Sequence, residues 1–129
     1  MSAPAAWRVC ATREILRTGE PGAKLRLYAA FVRGIHERTA ALFALLTQAG
    51  PEVGEVLETA ERERLTGVTA FVAHLGEAGA LGPDTDPAHL ADVLWALAGP
   101  QLYTQLTAGR GWSAETYEQW LAATLAATL

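Results

Sequence analysis

Cysteine is nearly absent from this sequence: its 129 residues contain one, Cys10. A disulfide framework within one chain is thereby excluded, and a reducing compartment is expected. Asparagine is missing altogether, and Lys24 is the sole lysine against nine arginines. Together with abundant alanine, that usage fits a GC-rich bacterial coding bias. Long apolar runs are lacking too. None approaches the ~20 residues of a membrane span. The opening stretch, MSAPAAWRVCATREIL, carries Arg8, Arg13 and Glu14 where a secretory signal would be apolar. A cytoplasmic protein without a membrane partner is the expectation. Sustained period-two alternation is also missing, so strands are not expected.

Reactive groups are sparse. His36, His74 and His89 fall in three separate segments, with no HExxH and no CxxC, so neither a metal site nor a cofactor is expected. Cys10 has no neighbouring base. Glu61 and Glu63 alternate with Arg62 and Arg64, a pattern that reads as a solvated turn of ion pairs rather than a catalytic carboxylate pair. No enzymatic activity is expected.

The net charge is −4, unevenly spread. Residues 1–38 hold seven Lys/Arg against three Glu, and residues 39–129 hold three Arg against eleven acidic residues. An acidic bulk argues against nucleic-acid binding by this chain alone, because phosphate neutralisation dominates such binding.

What remains is helix. A short first helix is predicted over Pro4 to Arg17. A long one is predicted from Pro21 to Ala49, with Leu25, Tyr28, Val32, Ile35, Thr39, Leu42 and Leu46 as one apolar seam. Gly50-Pro51 ends it. A third runs from Glu52 to Ala78, using Val53, Leu57, Ala60, Leu65, Val68, Phe71 or Val72, and Leu75, before Gly79 and Gly82. Asp86-Pro87 is a start signal, with Asp as N-cap and Pro at the first helical position. Leu90, Val93, Leu94 and Leu97 follow. Gly99-Pro100 must break or kink this helix, since Pro100 cannot donate to the carbonyl of Ala96. A continuation through Leu102, Tyr103 and Leu106 should stop at Gly109. Ser113 caps the last helix, Ala114 to Thr128. Trp112 and Tyr117 stand at the spacing of a hydrophobic staple across that cap. The expected fold is an all-α bundle of about five to six helices, with residues 1–19 as an N-terminal extension and 20–129 as the main domain.

Half of the ten aromatics, Trp95, Tyr103, Trp112, Tyr117 and Trp120, fall within the last third. The last helix is apolar over much of its circumference, and Ala123, Ala126 and Ala127 would let another helix come close. A subunit interface is therefore expected here, built from Leu94, Leu102, Tyr103, Leu106, Trp112, Tyr117, Trp120, Leu121, Thr124 and Leu125. The homodimer would be a two-fold pair burying ~1,600 Å² in total. A pocket for a small, mostly apolar ligand is expected from Tyr28, Phe31, Val32, His36, Phe43, Phe71, His74, Leu75 and Trp95, apolar or aromatic side chains with a few polar tips. Core packing is the leading alternative for each of these residues, and for His36 and His74 a bond to a backbone carbonyl is an equal alternative to ligand contact.

The segment DPAHLADVLWALAGPQLYTQLTAGRGWSAETYEQWLAATLAATL resembles the end of a TetR-type transcriptional regulator, and LRLYAAFVRGIHERTAALFALL resembles the long helix that opens that family's ligand-binding domain. The likeness covers residues from about 20 to 129. It implies an all-helical effector-binding domain of a repressor that dimerises through its last two helices. In the family such a domain follows a helix-turn-helix DNA-binding domain, and residues 1–19 are too short for one. DNA contact is therefore expected only through a separate N-terminal domain. The competing expectation is a stand-alone helical module that heterodimerises with related regulators.

Overall fold

The computed structural model describes residues 13–129. The expectations for Cys10 and most of the first helix lie outside the described residues. Of that helix, residues 13–17 are described and are helical. Five α-helices follow: α1 (Pro21–Gln48), α2 (Gly54–Glu77), α3 (Pro87–Leu97), α4 (Pro100–Arg110) and α5 (Ala114–Thr128), with a 3-10 turn over Pro51–Val53. No strand occurs among the described residues. The fold is an all-α bundle.

Local chemistry sets the boundaries. The Glu20 carboxylate accepts from the N–H groups of Gly22 (2.8 Å) and Ala23 (2.7 Å), and Pro21 opens α1. Those backbone bonds hold the Glu20 carboxyl below its ordinary range. Gly50, at φ 97, stops α1 where another residue would be strained. At the end of α2, Gly79 at φ 73 lets Ala80 N–H reach Leu75 O (2.9 Å) and its own N–H reach Gly76 O (3.1 Å), which is the Schellman arrangement. Asp86 caps α3 through Ala88 N–H (3.1 Å), and Ser113 caps α5 through Thr116 N–H (3.0 Å), both as expected. The glycine that stops α4 is Gly111, at φ 74, rather than Gly109.

The core joins the two ends of this order. α1 lies alongside α5, α3 lies on α2, and α4 packs against α1 and α5. Leu75, Leu94, Tyr117, Leu121 and Leu125 are its most deeply buried large side chains. Arg33 of α1 and Glu118 of α5 tie the long contact at its rim (2.8 Å).

Several packing expectations need correction. The α1 seam is core only as far as His36. Ile35, Thr39 and Leu46 are half-buried, and Leu42 is 57% exposed. On α2 the buried residues are Val68, Phe71, Val72 and Leu75, while Val53 and Leu57 are half-buried and Ala60 and Leu65 exposed. No residue from 37 to 67 is buried. The α1–α2 hairpin thus projects beyond the core as an arm, because α5 is roughly half the length of α1 and covers only its first part. The expected solvated turn at Glu61–Arg64 instead directs Glu61 and Arg64 toward α3.

Candidate functional site at the broken helix

The last turn of a helix leaves carbonyl oxygens without partners. At the α3–α4 break this deficit is acute, because Pro100 has no N–H to offer. Side chains from three other helices supply donors to three of the carbonyls at the break. Arg64 of α2 donates from Nη1 to Trp95 O. Tyr117 of α5 donates its hydroxyl to Leu97 O (3.0 Å). His36 of α1 donates from Nε2 to Ala98 O (2.7 Å). All five helices therefore converge on residues 95–100.

His36 is the centre of this arrangement. It is 4% exposed. A carbonyl at Nε2 requires the proton on that nitrogen, so Nδ1 is an acceptor. Nδ1 has no partner, and neither does Trp95 Nε1, a buried donor. Buried polar atoms without a partner are uncommon in folded proteins and call for a physical reason. Burial also lowers the His36 pKa, the Ala98 carbonyl opposing it and nearby Arg64 adding to it. Two aromatic rings pack on the imidazole: Tyr103 at 5.1 Å and Tyr117 at 6.1 Å, the two tyrosines meeting edge to face at 4.9 Å. On Trp95 the Arg64 guanidinium lies 4.6 Å from the ring centroid while pairing with Glu61 (2.9 Å).

Elsewhere the expected ligand-binding residues separate. Tyr28, Val32, Phe71 and Leu75 are buried in the core, and the Tyr28 and Phe71 rings stack at 4.2 Å, filling the space between α1 and α2. Phe43 is half-buried on the arm, and Phe31 is half-buried and packs against the core. His74 is engaged with Lys24, a residue sequence reasoning missed. Lys24 is 2% exposed, and its Nζ donates to Ile15 O (3.1 Å), Leu16 O (3.3 Å) and His74 Nε2 (2.8 Å). An ammonium has only donors, so His74 Nε2 accepts and its proton sits on Nδ1. The one available signal was that the single lysine adjoins Leu25 at the start of the core seam.

The expected interface residues divide in two. Leu94, Tyr103, Tyr117, Leu121 and Leu125 are buried within their own chain. The apolar breadth of α5 is largely consumed by α1. Leu102, Leu106, Trp112, Trp120 and Thr124 keep partly open surface. Trp112 makes a ring contact with Trp120 at 6.0 Å, edge to face. This answers part of the aromatic concentration: Tyr103 and Tyr117 are core, and the two tryptophans pair over it.

Among the described residues no group of three or more His, Cys, Asp or Glu could hold a metal ion, and no helix is long and apolar enough to cross a membrane.

No family model matches this sequence, and no curated protein or solved structure matches it.

Proposed function

We propose that this chain is the ligand-sensing and dimerisation domain of a TetR-like transcriptional repressor. Operator reading would reside in a separate N-terminal domain. The observation that carries the reading is the His36 imidazole, buried at the convergence of all five helices with Nδ1 unpartnered. It supplies one fixed acceptor beside an aromatic surface, and Trp95 Nε1 supplies a donor on the same broken helix. The effector that suits them is mostly apolar and carries a hydroxyl or an amide, each both donor and acceptor. Entry requires the side chains around the break to part, because the Tyr28–Phe71 stack fills the neighbouring space. Ligand binding would then favour one arrangement of α3 relative to α4, and that preference is what a second copy or a DNA-binding domain could sense. The second copy would meet the remaining open residues of α4 and α5, namely Leu102, Leu106, Trp112, Trp120 and Thr124.

The test is a thermal-shift screen of apolar alcohols, phenols and amides, followed by His36→Gln. Gln keeps a donor for Ala98 O. A ligand at ~100 times its Kd should stabilise the chain by ~2.7 kcal/mol, and His36→Gln should abolish most of that gain. Absence of any stabilising ligand, or a gain indifferent to position 36, would count against the reading.

A further inference from the structure

The two tyrosine rings that pack on the His36 imidazole are held in different ways. Tyr117 is fully buried, and its hydroxyl is fixed on Leu97 O (3.0 Å). Tyr103 lies closer to the imidazole, at 5.1 Å and tilted by 41°. Its hydroxyl makes no hydrogen bond to another described residue, yet it is not cut off from solvent. The residue is 7% exposed. Burial raises the pKa of that hydroxyl, Glu37 adding to the rise and Arg33 opposing it, so both charges act on this end of the ring. Arg33 and Glu37 flank His36 on α1 and pair with each other at 2.6 Å, with Glu37 exposed. Tyr103 therefore spans from the imidazole to the rim of the domain. It stands in the first turn of α4, its N–H on Gly99 O (3.3 Å), directly after the helix break.

We propose that Tyr103 is the gate of the His36 site: its ring swings outward past the Arg33–Glu37 pair and admits a neutral ligand that donates a hydrogen bond to His36 Nδ1. The ligand in this statement rests on the ligand-sensing reading above, whereas the gate stands on the packing alone. Moving Tyr117 would strip Leu97 O of its donor inside the core, which is costly. Moving Tyr103 breaks no hydrogen bond and gives up packing only, and outside the Glu37 carboxylate offers its hydroxyl an acceptor. The bond to Ala98 O keeps the His36 proton on Nε2, so Nδ1 only accepts. A phenol or an alcohol satisfies it, and an ether or a ketone of the same shape does not. A donor bound there would stand between α1 and the first turn of α4, where it bears on the angle of the break.

Access to His36 can be read with diethyl pyrocarbonate, which acylates a neutral imidazole at a free lone pair. Peptide masses separate His36 from His89, which is exposed and serves as the reference. In the wild type, His36 should be shielded less, relative to a free histidine peptide, than the best-protected α5 amides are relative to an unfolded chain, because a local opening is more frequent than global unfolding. Tyr103→Leu should speed the modification of His36 at least ~10-fold with His89 unchanged. Tyr103→Phe keeps the ring and should stay near the wild type. Tyr117→Phe, which loses a core hydrogen bond but leaves the gate, controls for lost stability. Phenol should shield His36, and anisole, which cannot donate, should not. Wild-type shielding as strong as that of the α5 amides would overturn the gate, and that comparison needs no variant to fold. A Tyr103→Leu rate no faster than that of Tyr117→Phe would overturn it as well. Equal shielding by anisole and phenol would overturn the choice of a donor. A faster Tyr103→Leu with no shielding by either compound would uphold the gate and count against the ligand-sensing reading instead.

Discussion

His36 on α1 and Ala98 at the end of α3 are 62 residues apart in sequence, and His36 Nε2 lies 2.7 Å from Ala98 O. This bond closes the helix break from the far side of the core. Its loss should loosen α3 and α4 together. His36→Ala should cost ~2–4 kcal/mol, combining an unsatisfied buried carbonyl with a cavity. His36→Gln should recover part of it. Chemical denaturation of the three proteins checks the order.

The same residue should make stability fall in acid. Histidine in an unfolded chain titrates near ~6.5, and the folded His36 pKa is lower. Between those values the unfolded chain binds a proton that the folded chain refuses, so stability rises with pH there. The contribution is fully present above ~6.5 and is lost progressively as pH falls toward the folded value. Replacing His36 with Gln should flatten that part of the profile.

Tyrosine should act at the other end. Burial pushes the Tyr28 hydroxyl up to about 12 and raises Tyr117 as well. An unfolded tyrosine ionises near ~10. Stability is therefore full below ~10 and declines as pH rises toward about 12. Tyrosinate absorbance at these two rings should appear together with loss of helical signal. Tyr28→Phe, which keeps the stack on Phe71, should move that loss to higher pH.

Gly99→Ala tests the tightness of the break. A Cβ there would lie 3.3 Å from Trp95 O, 3.1 Å from Arg64 Nη2 and 2.8 Å from Gln101 Oε1. Gln101 can swing away, but the Trp95 carbonyl is backbone and Arg64 is bonded to it. A cost of ~1–3 kcal/mol is expected, visible as a lower denaturation midpoint. The Arg64–Trp95 contact should loosen, with a change in Trp fluorescence.

Lys24→Met should release the segment before α1. The ammonium holds two carbonyls, Ile15 O and Leu16 O, and has a third acceptor in His74. Methionine fills similar volume and donates nothing. Hydrogen exchange should rise locally at residues 15–18, with smaller changes in α3 and α5. Equal protection in both proteins would deny Lys24 this role.

Much of the fold was legible because its signals are local. Asp86-Pro87, Ser113 and Gly50-Pro51 each satisfy or break a helix end by chemistry within a few residues. The Gly99-Pro100 break followed from a missing N–H alone. The length of the core was not legible. The α1 seam continues with the same spacing past His36, and only the shorter α5 decides where burial stops. For the same reason periodicity showed Leu121 and Leu125 as apolar without showing whether α1 or a second copy covers them. The site was partly visible: His36 interrupts an apolar face. Its bond to Ala98, and the Lys24–His74 pair, join residues distant in sequence, and one sequence carries no signal of such pairing.

The contact between α1 and α5 also governs the order in which the molecule can assemble. α1 has its main packing partner at the other end of the chain, so α1, α2 and α3 emerge from the ribosome before α1 can bury its core seam. Until α5 is available, α1 lacks its main packing partner. The long loop closure makes this a late step in folding. Removal of the segment from Tyr117 onward should therefore leave a helical but loosely packed chain, exposed to proteases and to aggregation, rather than a smaller native domain.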